Sequence, residues 1–237
     1  MFIKEYSLRY GDLDSRGEIK ISAVLDVLQD ISILHSHSVG YSLDVLYSRS
    51  LAWLLHGWRI RFLQPIKYGK DTVVKTGIIN CNKFEAIRKY EIWQDGICKV
   101  KATAEWFTVD TNRVRLTKVP EDVRNAYECT EEEDNGLPFI KLKGNGEIPV
   151  ISDMTVEHRD IDTNNHMNNV KSVEILLDFL PDRVHISELM ITYKKEIHKD
   201  EKIKICVAEK NDGYLGELRN ADNEPCVLIY AKGAEAK

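Results

Sequence analysis

The chain is short of several things, and each shortage removes a class of function. No apolar run in its 237 residues approaches the ~20 needed to cross a bilayer as a helix, so no membrane partner is expected. Its five cysteines, Cys81, Cys98, Cys129, Cys206 and Cys226, are odd in number and scattered, with no CxxC pair. Reduced, buried thiols are expected rather than a disulfide framework. A net charge of −5, with no basic runs interleaved with aromatics, gives no general electrostatic reason to bind nucleic acid. There is no HExxH pair, no G-x-S-x-G elbow and no phosphate loop beyond a lone "GNG", so no sequence pattern supports a zinc-type metal site or a serine nucleophile. No metal and no cofactor are implied. The opening "MFIKEYSLRYGDLD" has no apolar signal core and is too acidic for a transit peptide, which points to a cytoplasmic location.

What is present is ordinary globular material, 43% apolar and 30% charged, arranged in a pattern that occurs twice. Ile21, Val24, Leu25, Leu28 and Ile31 recur at helical spacing and predict one amphipathic helix from about Ile19 to Leu34. Four strand-like runs follow between Leu51 and Asp110: "LAWLLHGWRIRFLQ", "TVVKTGIINC", "FEAIRKYEIWQ" and "CKVKATAEWFTV". In the last, Cys98, Val100, Ala102, Ala104 and Trp106 alternate with Lys99, Lys101, Thr103 and Glu105, the signature of a half-buried strand. From Val170 the order repeats, with a short, very apolar helix "VKSVEILLDFL" and then "ISELMITYKKEI", "EKIKICVAEK", "YLGELRN" and "CVLIYAK".

The repeat extends to single residues when "YGDLDSRGEI" is laid beside "HRDIDTNNHM", pairing Asp12 with Asp160, Leu13 with Ile161 and Asp14 with Asp162. Between the copies, the acidic run Glu131–Asp134 and the glycines of "KGNGEIP" have linker composition. The expected organisation is an N-terminal repeat over 1–125, a linker over 126–148 and a C-terminal repeat over 149–237. Long antiparallel strands wrapped around one central helix form the hot-dog arrangement. The fold class is therefore α+β, a tandem double hot-dog.

The segment "DIDTNNHMNN", Asp160 to Asn169, concentrates two carboxylates, four asparagines and a histidine ahead of a helix. Capping accounts for one or two of these residues, not for all seven. Read as a strand, it would place His158, Asp160 and Asp162 on one face. A carboxylate, a histidine and an amide beside the free N–H groups of a helix start are the parts acyl transfer requires. His35 and His37 fall near a helix end, where polar side chains commonly face solvent or cap carbonyls, and receive no function.

The stretch "RDIDTNNHMNNVKSVEILLD" closely resembles the catalytic segment of plant-type acyl-acyl carrier protein thioesterases, which carry D-x-N-x-H followed by N-N-V-K. The motif falls on Asp162, Asn164 and His166, then Asn168, Asn169, Val170 and Lys171. "ITYKKEI" is similar to the family strand that ends in a catalytic glutamate, here Glu196. Plant members usually have a cysteine directly after that glutamate, whereas this chain has Ile197, which excludes a Cys-His mechanism at that position.

The resemblance implies hydrolysis of fatty acyl thioesters of acyl carrier protein, with Asp162, Asn164, His166 and Glu196 as catalytic residues. The protein partner implied is acyl carrier protein, and the chain is expected as a monomer or a homodimer. The N-terminal copy has Arg16 and Glu18 where the other has Asn164 and His166, and Pro65 opposite Glu196. It is therefore expected to shape the acyl pocket, with Val24, Leu25 and Leu28 lining or backing it. Two rival readings are a hot-dog hydratase or dehydratase, whose histidine comes one residue later and after a proline, and a non-enzymatic acyl-thioester sensor.

Overall fold

The computed structural model describes residues 1–127, 129, 136–144, 147–181 and 184–235. The acidic run Glu131–Asp134 assigned to the linker lies outside the described residues. The chain divides into two compact units, Met1–Phe139 and Ile140–Lys237.

The first unit opens with β1 (Phe2–Tyr6), followed by α1 (Ile21–Ser38) and a short α2 (Leu43–Ser48). A meander then runs through β2 (Leu51–Phe62), β3 (Thr72–Cys81), β4 (Glu85–Gln94) and β5 (Ile97–Asp110), with a two-residue β6 (Arg115–Leu116) and α3 (Glu121–Ala126) after it. Neighbouring strands pair antiparallel in the order β1-β3-β4-β5-β2, and β6 pairs with β5. The expected strand bounds hold to within a few residues, and those of β3 match the run "TVVKTGIINC".

The second unit repeats this order with β7 (Val150–Thr155), α4 (Asn169–Asp178), β8 (Val184–Tyr193), β9 (Lys202–Lys210), β10 (Gly213–Arg219) and β11 (Pro225–Glu235). Its antiparallel order is β8-β11-β10-β9-β7. Taken from the amino-terminal strand of each unit, both sheets follow one topology. The first strand lies beside the third, the fourth and fifth come next, and the second follows the fifth.

Helix α1 packs beside β1 and β3, and α4 beside β10 and β11. In α1, Val24, Leu25, Leu28 and Ile31, the residues expected to line or back an acyl pocket, are 3% exposed or less. The face they form continues one turn further than "ISAVLDVLQDISIL" suggests, because the spacing Leu28, Ser32, His35 keeps His35 on it. His35 is 7% exposed, in contrast to the solvent-facing position expected for it.

In α4, Val170, Val173 and Leu176 are buried, but the helix ends at Asp178 and Phe179 is exposed, so the helix is enclosed on one side rather than all round. Its close approach to the sheet depends on Gly216 in β10, where a Cβ would sit 2.9 Å from Ile229 Cγ1 and 3.3 Å from Leu176 Cδ2. The alternation read from β5 is also incomplete. Lys99 and Thr103, assigned to the polar face, are buried at 8% and 1%, because a strand flanked by β4 and β2 leaves little room for solvent.

Candidate active site

The polar segment before α4 is not a strand, so His158, Asp160 and Asp162 do not share one strand face. Residues His158–Asp160 form a single 3-10 turn. Asp160 is its anchor: its Oδ2 accepts the backbone N–H of Glu157 at 2.9 Å, and the residue is 2% exposed. Buried carboxylates persist where such donors meet them. The chain then makes a tight loop. Asp162 Oδ1 accepts from the N–H of Asn164 at 2.8 Å and, at the long distance of 3.5 Å, from that of His166. Asn165 takes a left-handed φ of 61°, which asparagine tolerates better than most residues. The loop closes with the N–H of Asp162 on the carbonyl of His166 at 2.9 Å and that of Asn168 on the carbonyl of Asp160 at 2.8 Å.

The first unit builds the same loop bond for bond. Tyr10–Asp12 is a 3-10 turn in which Asp12 Oδ2 accepts from the N–H of Arg9 at 2.7 Å. Asp14 Oδ1 accepts from the N–H groups of Arg16 and Glu18, each at 2.9 Å. Gly17, with φ 77°, stands where Asn165 does. The N–H of Asp14 meets the carbonyl of Glu18 at 2.8 Å, and that of Lys20 meets the carbonyl of Asp12 at 2.9 Å. One oxygen of each of the two Asp residues in each loop is therefore a backbone device, a structural role shared by the two units.

The side chains the two loops present are different. Arg16 Nη2 in the first lies 3.1 Å from Asp14 Oδ2 and 3.3 Å from Glu18 Oε2, so the carboxylates are neutralised within the loop. Partial burial pulls the Asp14 carboxyl upward, but the N–H groups of Glu18 and Arg16 and the guanidinium outweigh it and hold it below the usual carboxylate range. In the second loop, Asp162 Oδ2 has, among the described residues, only the long 3.5 Å contact with Asn164 Nδ2. His166 turns instead toward Glu196, with Nε2 and Oε2 3.3 Å apart and both side chains reachable by solvent at 31% and 49% exposure.

Glu196 does not lie on a strand, as "ITYKKEI" suggested. It sits three residues beyond the end of β8 at Tyr193, in a segment held beside the loop by the N–H of Met167 on the carbonyl of Ile197 at 2.7 Å and by an isolated antiparallel bridge between His166 and His198. Ile197 itself is 2% exposed and contributes packing and that carbonyl. The bridge brings in a residue that the sequence reading missed. The His198 ring packs edge-on against His166, centroids 4.9 Å apart. The signal available was its spacing, since His198 follows Glu196 at the interval that shares one side of an extended segment.

One expected feature is narrowed. The N–H groups at the start of α4 were to offer themselves to an oxyanion, but Asn168 Oδ1 already accepts from Val170 at 2.8 Å and from Lys171 at 3.1 Å, and the N–H of Ser172 takes the Asn168 carbonyl at 3.0 Å. The cap that makes the helix begin thus occupies the N–H groups of Val170 and Lys171. The first unit contains an open groove elsewhere, lined by Ile79, Asn80, Cys81, Arg124, Asn125 and Cys129. Among the described residues no helix is long and apolar enough to cross a membrane.

Comparison with known proteins fits this arrangement. Residues 1–127 match the acyl-ACP thioesterase N-terminal domain and residues 146–226 the acyl-ACP thioesterase C-terminal domain. A palmitoyl-acyl carrier protein thioesterase of Cuphea hookeriana is 24% identical over 90% of this chain, which spans 56% of that protein's length. Two solved structures superpose with a TM-score of 0.86 each. An acyl-ACP thioesterase from Bacteroides thetaiotaomicron is 16% identical over 98% of this chain and 97% of its own. The 12:0-ACP thioesterase from Umbellularia californica is 18% identical over 99% and 97%. The fold is thus the α+β double hot-dog of those structures, and the chain belongs to the acyl-ACP thioesterase family.

Proposed function

We propose that the protein hydrolyses a fatty acyl thioester of acyl carrier protein, giving the free fatty acid and the carrier thiol. The observation that carries the proposal is the His166–Glu196 pair, 3.3 Å apart, which joins the loop to the segment after β8, whereas the twin loop in the other unit has Glu18 in the place of His166. Family membership supplies the substrate class.

In this reading Glu196 accepts the Nε2–H of His166 and fixes the imidazole tautomer, which leaves Nδ1 to take a proton from the attacking water. Water adds to the thioester carbonyl carbon, the C–S bond breaks, and the proton held on His166 passes to the departing thiolate. Asp162 Oδ2 holds Asn164, whose amide N–H is the donor offered to the carbonyl oxygen in place of the helix start. The first unit, whose own loop is neutralised by Arg16, shapes the site for the acyl chain and does no chemistry. The units then correspond to an acyl-pocket repeat and a catalytic repeat, joined through the segment around 126–148.

Incubation of the purified protein with acyl-ACP and acyl-coenzyme A substrates of graded chain length, with free thiol measured over time, tests this. Thiol release that is faster from carrier protein than from coenzyme A is the expected result. Reversible hydration of an enoyl thioester, or tight binding with no thiol released, would replace the hydrolase reading with one of its rivals.

A further inference from the structure

Three side chains converge beside the site loop, and only two of them have work in the proposed reaction. Glu196 and His198 are two residues apart on one extended segment, and the bridge from His198 to His166 places the third opposite them. One ligand atom from each of His166, Glu196 and His198 lies within 4.8 Å of the other two. Two imidazole nitrogens and one carboxylate oxygen are the donor set of open, three-ligand zinc sites, and ligands at ~2.0–2.1 Å around a tetrahedral ion stand about 3.4 Å from one another. The His166–Glu196 separation of 3.3 Å already has that value. Bringing the remaining atoms to the same spacing needs a closure of at most roughly 1.4 Å from 4.8 Å, which side-chain rotation supplies because Glu196 and His198 are exposed.

We propose that His166, Glu196 and His198 form a binding site for a divalent ion of the zinc class, and that an ion bound there switches thioester hydrolysis off. The donors select the ion: imidazole and carboxylate together suit zinc and its neighbours, whereas magnesium and calcium prefer an all-oxygen shell. The switch follows from proton placement. An ion on Nε2 of a neutral imidazole leaves the ring proton on Nδ1, the atom that must be free to accept a proton from water. The same ion takes the Glu196 oxygen that orients the ring. The site itself stands on geometry alone, and only its inhibitory effect rests on the hydrolase reading.

The test uses chelator-treated full-length protein titrated with zinc by calorimetry and with cobalt by visible absorption. One saturable site per chain with tetrahedral cobalt bands is expected. His198→Ala should weaken zinc binding by at least about tenfold, since loss of even an outer-shell partner costs that much. Cys81→Ser is the control, because Cys81 and Cys129 line one groove and thiols also hold zinc. No saturable uptake, or uptake lost in Cys81→Ser and kept in His198→Ala, overturns the site. Thermal melts check folding, and His198→Asn substitutes if His198→Ala melts early. Turnover of the parent should fall with zinc and return with chelator, while His198→Ala turns over and resists zinc. Acceleration by zinc overturns the inhibitory role. A parent that binds metal without turnover sinks the hydrolase reading and spares the site, whereas turnover without binding does the reverse.

Discussion

The loops Asp12–Lys20 and Asp160–Asn168 share a backbone and differ in what they carry. Both anchor a buried Asp on its own 3-10 turn, both use a second Asp as an acceptor for two backbone N–H groups, and both place a left-handed residue three positions after that second Asp. The turn is evidently a way to lead an extended chain into a central helix, and the DxD pattern serves that purpose in each unit. In the proposed reaction the chemistry occupies one copy. Where Arg16 closes its loop electrostatically, Asn164 and His166 leave theirs open toward Glu196. A conspicuous motif can thus be half scaffold and half site, and its duplicate shows which half is which.

The largest effect that would sharpen this contrast is at His166. His166→Ala should lose ~10²–10⁴-fold in thioester turnover while the melting temperature stays near the parent's, the scale for a proton-transfer group. Turnover within a few-fold of the parent would remove the residue from the mechanism and leave the two loops chemically alike.

A second difference between the units lies beneath their helices. In the first, the buried Arg88 Nη1 donates to His35 Nδ1 at 2.7 Å and to Thr76 Oγ1 at 3.4 Å, with the Tyr127 ring against the guanidinium. In the second, the buried arginine, Arg219, meets Glu217 at 2.8 Å on its own strand. Burial and then the Arg88 charge push the His35 pKa down from 6.5 to about 3. Because the folded value lies below the unfolded one, the unfolded chain binds the extra proton. The contribution is whole above pH 6.5 and is lost as pH falls from there toward about 3, at up to ~1.4 kcal/mol per pH unit. Denaturant melts between pH 7 and 4.5 should show this slope, and His35→Gln should flatten it. An unchanged slope would mean that His35 is not the titrating group.

The smallest effect concerns the shared turn. Gly17 has open space around its missing Cβ, so Gly17→Ala is penalised for its left-handed backbone alone, by about 1–2 kcal/mol. Asn165→Ala should cost less than about 1 kcal/mol, since Asn165 already carries much of that penalty. Thermal melts of the two variants check the order, and a reversed order would show that the loops are less alike than their hydrogen bonds indicate.

Much of this was legible in the sequence, for identifiable reasons. Alternation with turn punctuation located the strands of both meanders, the 3.6 period found α1, the apolar run from Val170 marked α4, and the DxD duplication tied the two halves together, while α2 and α3 were not anticipated. Tertiary context hid the rest. Whether Asp160 belongs to a strand or a 3-10 turn depends on a side chain capping its own backbone, which an alternation pattern does not distinguish. The burial of Thr103 and Lys99 follows from flanking strands, and the loss of the helix-start donors from the orientation of Asn168. His198 joins the site through a bridge to a residue 32 positions earlier, as 198 less 166 shows, so its spacing from Glu196 was the one local clue.

Two equivalent loops share a structural role, and in the proposed reaction only one of them has a chemical one. Replacing each second Asp by Asn removes a charge and keeps the shape and much of the capping ability. Thioester turnover of Asp14→Asn and Asp162→Asn, measured side by side with melts to confirm folding, tests the claim most directly. The prediction is turnover within a few-fold of the parent for Asp14→Asn and a loss of about a hundredfold or more for Asp162→Asn. Equal losses, or a larger loss at Asp14, would contradict it.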